Sequence, residues 1–175
     1  MIGEKVFDCR EMFYHACTFA ECADMALAKL QHDTAQLGFY DLPSAVNSAF
    51  ACEVFLKSIL KWYGINPPKS HSLQQLYNAT PTNIQSFVKA VASNNYGGRW
   101  TNEWKEECLK LLSNAFEQCR YLYEHDFSKQ RCVQIEIGFL VVFRNALREA
   151  CSQLFFGKTW EQFVVWQPHK GEQND

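Results

Sequence analysis

The residues best suited to chemistry are gathered in one short segment, Arg120-Tyr121-Leu122-Tyr123-Glu124-His125, with Lys129 and Arg131 close behind. A histidine and an arginine are enough to cleave a phosphodiester without a metal. The imidazole removes the proton from a ribose 2′-OH, and the guanidinium neutralises charge building on the phosphoryl oxygens. Tyr121 and Tyr123 add ring faces on which bases can stack, or hydroxyls that can donate hydrogen bonds. A spacing of five residues puts Arg120 and His125 about 140° apart on a straight helix. They converge only where the helix ends or bends, or where a second subunit completes the site, and Glu124 to Gln130 reads as a helix end. The pattern is cheap: Arg10 and His15 repeat it near the N-terminus. The competing reading of the Arg120 segment is an exposed, salt-bridged helix end.

Other chemistries find no footing. There is no Gly-rich phosphate loop, no GxSxG elbow, no HExxH and no EF-hand loop. The eight cysteines include no CxxC pair, and the nearest approach to a metal cluster, His15, Cys17 and Cys22, fits no familiar zinc spacing. No metal or cofactor is expected. Buried free cysteine behaves as a small hydrophobe, and eight thiols without a secretory leader suggest a reducing, cytoplasmic setting. His71, following a Pro-Pro turn at a helix start, is read as a structural anchor.

These residues need elements to hold them, and the composition says what kind. The chain has 175 residues, 47% hydrophobic and 15% aromatic, which suits a single domain with a full apolar core. Seventeen Lys and Arg against nineteen Asp and Glu exclude a globally basic nucleic-acid binder, although a local basic site remains open. The most apolar run, Gly138 to Phe143, is far short of the roughly 20 residues that cross a bilayer.

Helical spacing dominates. A first helix is expected from about Asp8 to Gln31, striped by Phe13, Cys17, Ala20, Asp24 and Leu27. A second begins near Pro43 and carries Ala45, Ala49, Cys52, Leu56, Ile59 and Tyr63 at strict 4-3-4-3-4 spacing, closed by Gly64 and Asn66-Pro67-Pro68. Ser72 and Gln75 form a capping box for a short helix ending before Pro81, and another runs from Thr82 to Ala92. A long helix is expected from Asn102 through Leu122, and a last one from Arg131 to Phe156. The sum is a single all-α domain, an up-and-down bundle of four long helices plus short connectors. Its core covers about residues 8–156, with an aromatic tail at 157–175 (Trp160, Phe163, Trp166) packing back on the bundle or onto a partner. Arg144 breaks the apolar stripe of the last helix. It is read as a snorkelling or paired arginine, with a carboxylate such as Glu53 as its partner, or as part of a polar, RNA-binding site with Lys129 and Arg131.

The stretch Ala49 to Leu60 (AFACEVFLKSIL), then Tyr63-Gly64, Pro67 and His71-Ser72-Leu73-Gln74-Gln75-Leu76, resembles HEPN domains. Those domains often show a Glu-x-x-Leu-Lys helix, a Gly/Pro turn and His-x-Leu-x-x-Leu, followed later by an Arg-x(4–6)-His motif near the end of a long helix. Arg120 to His125 matches that motif in spacing and place, and the Arg10 pair lies in the wrong helix. The resemblance implies a helical bundle, usually dimeric, with two Arg-His motifs meeting across the interface. It also implies a metal-independent ribonuclease of the toxin–antitoxin or antiphage kind, with Arg120 and His125 catalytic. Where active members follow the arginine with Asn, Asp or His, this chain has Tyr121. One subgroup instead shows Arg-Tyr-x-Tyr-Glu, which Arg120 to Glu124 matches, leaving Tyr121, Tyr123 and Glu124 as supporting residues. The alternatives are therefore a non-catalytic binding or scaffold module, partnered with a nucleotidyltransferase-like antitoxin, and a nucleotide-binding helical domain.

Overall fold

A computed structural model of the chain describes residues 8–32, 40–95, 101, 105–112 and 136–166, and every regular element among them is helical. In chain order these are α1 (Cys9–His32), α2 (Asp41–Trp62), α3 (Leu73–Ala79), α4 (Thr82–Asn95), α5 (105–112), α6 (Ile137–Phe156) and α7 (Trp160–Trp166). The all-α expectation holds. The expected start at Asn102 lies outside the described residues, whereas the last long helix begins at Ile137, after a non-helical Glu136, and not as part of one helix from Arg131.

The helix ends follow local chemistry. Asp8 opens α1 by accepting from the Arg10 N–H at 2.9 Å. Pro43 sits in the first turn of α2, where no backbone donor is required. At the far end of α2 the Ile65 N–H reaches the Leu60 carbonyl and the Gly64 N–H reaches Lys61, both at 2.9 Å, with Gly64 at φ 68°. This is the Schellman closure that a left-handed glycine permits. Ser72 caps α3 through the Gln75 N–H at 3.3 Å. The Thr80 hydroxyl donates back to the Tyr77 carbonyl at 2.7 Å, and Pro81 follows. Thr159 and Gln162 form a reciprocal capping box that starts α7.

Three long helices enclose the core. Contacts from Phe13 to Phe55 and Phe155, and from Ala20 and Asp24 to Arg144, show that α1 runs antiparallel to both α2 and α6. Ser48 with Arg144, Cys151 with Phe55 and Ser58, and Trp62 with Phe155 show that α2 and α6 run parallel. The stripe of α2 from Ala45 to Ile59 is buried as its spacing predicts, while Tyr63 is half-exposed at the C-cap. α3 and α4 brace the other side, locked together by the Tyr77 hydroxyl donating to the Gln85 carbonyl at 3.0 Å. The expected aromatic tail does return to the bundle. Phe163 is buried, with its ring centroid 5.3 Å from that of Phe13. Phe13 also meets Phe156 and Trp160 at 5.5 and 6.4 Å, so α7 extends one continuous core. Edge-to-face and tilted geometries of this kind add to the area term of burial.

Candidate functional site

The segment expected to carry chemistry, with Arg120, Tyr121, Tyr123, Glu124, His125, Lys129 and Arg131, lies outside the described residues. Arg144 lies within them, and its place corrects the expectation that it joins a basic, RNA-binding surface. Its side chain is only 1% exposed. Nη1 donates to the Ser48 hydroxyl at 2.9 Å and the Ala20 carbonyl at 3.3 Å, and Nη2 is paired with the Asp24 carboxylate. Two helices, α1 and α2, thus hold the guanidinium inside the bundle, and Asp24 neutralises it. The expected partner, Glu53, is a second correction, because Glu53 is already engaged elsewhere.

Arg148, one turn further along α6, donates to Asn145 Oδ1 at 3.1 Å and lies 4.2 Å over the Trp160 ring. Burial, with the Arg144 charge second, lowers its pKa from the ordinary arginine value. The second Arg-x4-His match resolves into structure. Arg10 donates to the Phe155 carbonyl near the C-terminal end of α6 and covers the Phe156 ring, while His15 faces outward. The buried cysteines Cys17, Cys52 and Cys151 are poor nucleophiles for one reason: burial pushes the Cys17 and Cys52 thiols up to about 12 and Cys151 upward too. His15 and Cys22 are exposed while Cys17 is buried, and among the described residues no three His, Cys, Asp or Glu converge to hold a metal ion.

The densest functional geometry among the described residues lies where α2 turns into α3. The Glu53 carboxylate, 5% exposed, accepts from Lys57 Nζ at 2.6 Å, one helical turn on. His71 Nδ1 lies 3.1 Å from both Glu53 oxygens, and because a carboxylate accepts, Nδ1 carries the donated hydrogen. The Gly64 closure and the Asn66-Pro67-Pro68 turn carry the chain back so that His71 reaches Glu53, 18 residues earlier. The anchor role expected of His71 is thus realised through a buried carboxylate. Its side chain is still 51% exposed, which leaves an oriented imidazole at the surface. With its hydrogen held on Nδ1, the neutral ring has Nε2 as an acceptor, and Nε2 donates to a phosphate only when the ring carries a second proton.

The fold and this edge define a class of protein, a helical bundle whose central helix, Gly/Pro turn and following histidine are tied by one buried carboxylate. A family model for the HEPN domain matches residues 21–135, and the chain belongs to that family. No curated protein and no solved structure compared with the chain matches it.

Proposed function

We propose that this HEPN protein is a metal-independent endoribonuclease, of the toxin–antitoxin or antiphage kind, working as a homodimer in the cytoplasm. The observation that carries the reading is that the matched family region runs through Arg120 and His125, the one Arg-x4-His pair of the chain inside it. In this reading His125 takes the 2′-OH proton. The 2′-oxygen attacks phosphorus, and Arg120 holds the charge on the phosphoryl oxygens as the P–O5′ bond breaks and the 5′-oxygen takes a proton from water. The products are a 2′,3′-cyclic phosphate and a 5′-hydroxyl end. The test is cleavage of single-stranded RNA by the purified chain in excess EDTA. Arg120→Ala and His125→Ala are each expected to slow it by about 10² or more, with helical content and dimerisation intact. Undiminished cleavage by both variants overturns the assignment.

A second reading is favoured by one residue. Tyr121 follows the arginine, and Arg-Tyr-x-Tyr-Glu fits a non-catalytic module that binds a nucleotidyltransferase-like partner. It is tested by co-purification of that partner with a wild-type chain that leaves RNA intact.

A further inference from the structure

The whole-chain charge of −2 conceals a strong asymmetry. Residues 54–102 contain five of the seventeen Lys and Arg and none of the nineteen Asp and Glu. The described part of this stretch includes the end of α2, the turn after it, α3 and α4. From the geometry of that region we infer a binding surface for single-stranded RNA, built by Lys57, Lys61, Trp62, Tyr63, Lys69 and His71. The inference rests on the RNA-cleaving reading for its choice of RNA, and it concerns binding, not the Arg120 and His125 chemistry.

Three observations place these side chains around the C-terminal end of α2 and the turn that follows it. Lys57 and Lys61 are a helical turn apart on α2. Lys57 and His71 both reach the Glu53 carboxylate, at 2.6 and 3.1 Å, so the turn carrying Lys69 and His71 folds back beside α2. Trp62 and Tyr63 occupy the last turn and C-cap of the same helix, 43% and 39% exposed.

The charges exceed what the fold itself requires. The C-terminal end of α2 accounts for one cation, Lys61, by complementing the helix dipole. Glu53 is buried and offsets one lysine, leaving the remaining positive charge at the surface. The rings are half-exposed and each is held by a neighbour. Trp62 leans on Phe155 with centroids 5.0 Å apart, and the Tyr63 hydroxyl accepts from Asn83 Nδ2 at 3.3 Å. Cations flanking fixed, half-exposed aromatic rings match a strand with a phosphate at every step and unpaired bases free to stack. A duplex hides its base faces, and an acidic peptide has no use for the rings.

The experiment is fluorescence anisotropy of a labelled single-stranded oligo-A RNA with the full chain carrying His125→Ala to prevent turnover. Lys61→Gln with Lys69→Gln is expected to weaken binding at least tenfold. It should also lower the slope of log K against log salt by about 1.4, the share of two phosphate contacts on a single strand. Tyr63→Ala should weaken binding about fivefold or more, with Tyr63→Phe retaining it. Lys29→Gln, at the far end of α1, should leave binding unchanged. Equal loss with Lys29→Gln, no loss with the lysine pair, or equally tight binding of poly-glutamate each overturns the inference. RNA bound through these lysines by a wild-type chain that cleaves nothing overturns the ribonuclease reading alone.

Discussion

The guanidinium of Arg144 meets the carboxylate of Asp24 across 120 residues of sequence, with Arg144 1% exposed and Asp24 47% exposed. That asymmetry decides which partner the fold can lose. Removing Arg144 leaves a carboxylate that water can reach, whereas removing Asp24 leaves a guanidinium buried with only neutral partners.

Asp24→Ala is therefore expected to cost more stability than Arg144→Met, about 3 kcal/mol against about 1–2 kcal/mol. The double variant should recover part of the Asp24→Ala loss. Urea denaturation followed by circular dichroism measures all three, and the opposite order would show that the ion pair is not what holds Arg144 in place.

Alkaline pH should loosen the fold before it affects a comparable protein with exposed thiols. The Cys17 and Cys52 thiols have an ordinary value of 9.0 and are pushed by burial to about 12 in the fold. Between those values the unfolded chain gives up thiol protons that the folded chain keeps. Their contribution is intact below pH 9.0 and declines as pH rises toward 12, by up to about 1.4 kcal/mol per pH unit per thiol. Urea midpoints from pH 8 to 10.5 should fall in the wild type and fall less steeply in Cys52→Ala. Parallel curves would contradict it.

Gly157 closes α6 at φ 64°, and a Cβ built there meets nothing within 4 Å. The cost of a side chain at this position is then purely one of backbone conformation. Gly157→Ala should lose about 1 kcal/mol, and Gly157→Asn less, because asparagine tolerates the left-handed region. Thermal melts of the two variants give the comparison, and equal melting temperatures would count against it.

α7 stands or falls with one ring. Phe163→Ala should destabilise by about 3 kcal/mol, and a cycle with Phe13→Ala should show about 1 kcal/mol of coupling from the ring pair at 5.3 Å. Additive losses would mean that α7 docks through its other aromatic contacts.

The sequence was most legible where spacing and punctuation agree. The stripe of α2, its Gly64 closure, the Ser72 cap and the Pro81 stop are local events, decided by residues within one or two turns of one another. Arg144 was legible as an anomaly but not in its partner. Its charge is met from α1, which runs antiparallel beside it, and no spacing along α6 reveals which helix will be the neighbour. Glu53 was the natural candidate, yet it faces Lys57 and His71, about one and a half turns past Ser48. α4 extends to Asn95 rather than Ala92 because Ser93, Asn94 and Asn95 continue the helix before the glycine pair. The acid-free stretch at 54–102 is hidden by a net charge, which averages over the chain. A running count of acids along the chain exposes it. Of the candidate catalytic residues, the sequence supplies identity and spacing, and their convergence is a matter for the cleavage experiment.

The seat of Arg144 also fixes an order of events during synthesis. α1 and α2 can pair as soon as both have left the ribosome, since the contacts between them are close in sequence. The half-finished surface they share, with Phe13, Ala20, Ser48 and Phe55, then waits for α6 to supply Phe143, Arg144, Leu147 and Cys151. A nascent chain stalled before residue 144 would carry an open apolar groove with Asp24 at its rim. Closure of this protein is a late, long-range step, and until it happens the chain is a client for whatever shields exposed hydrophobic surface.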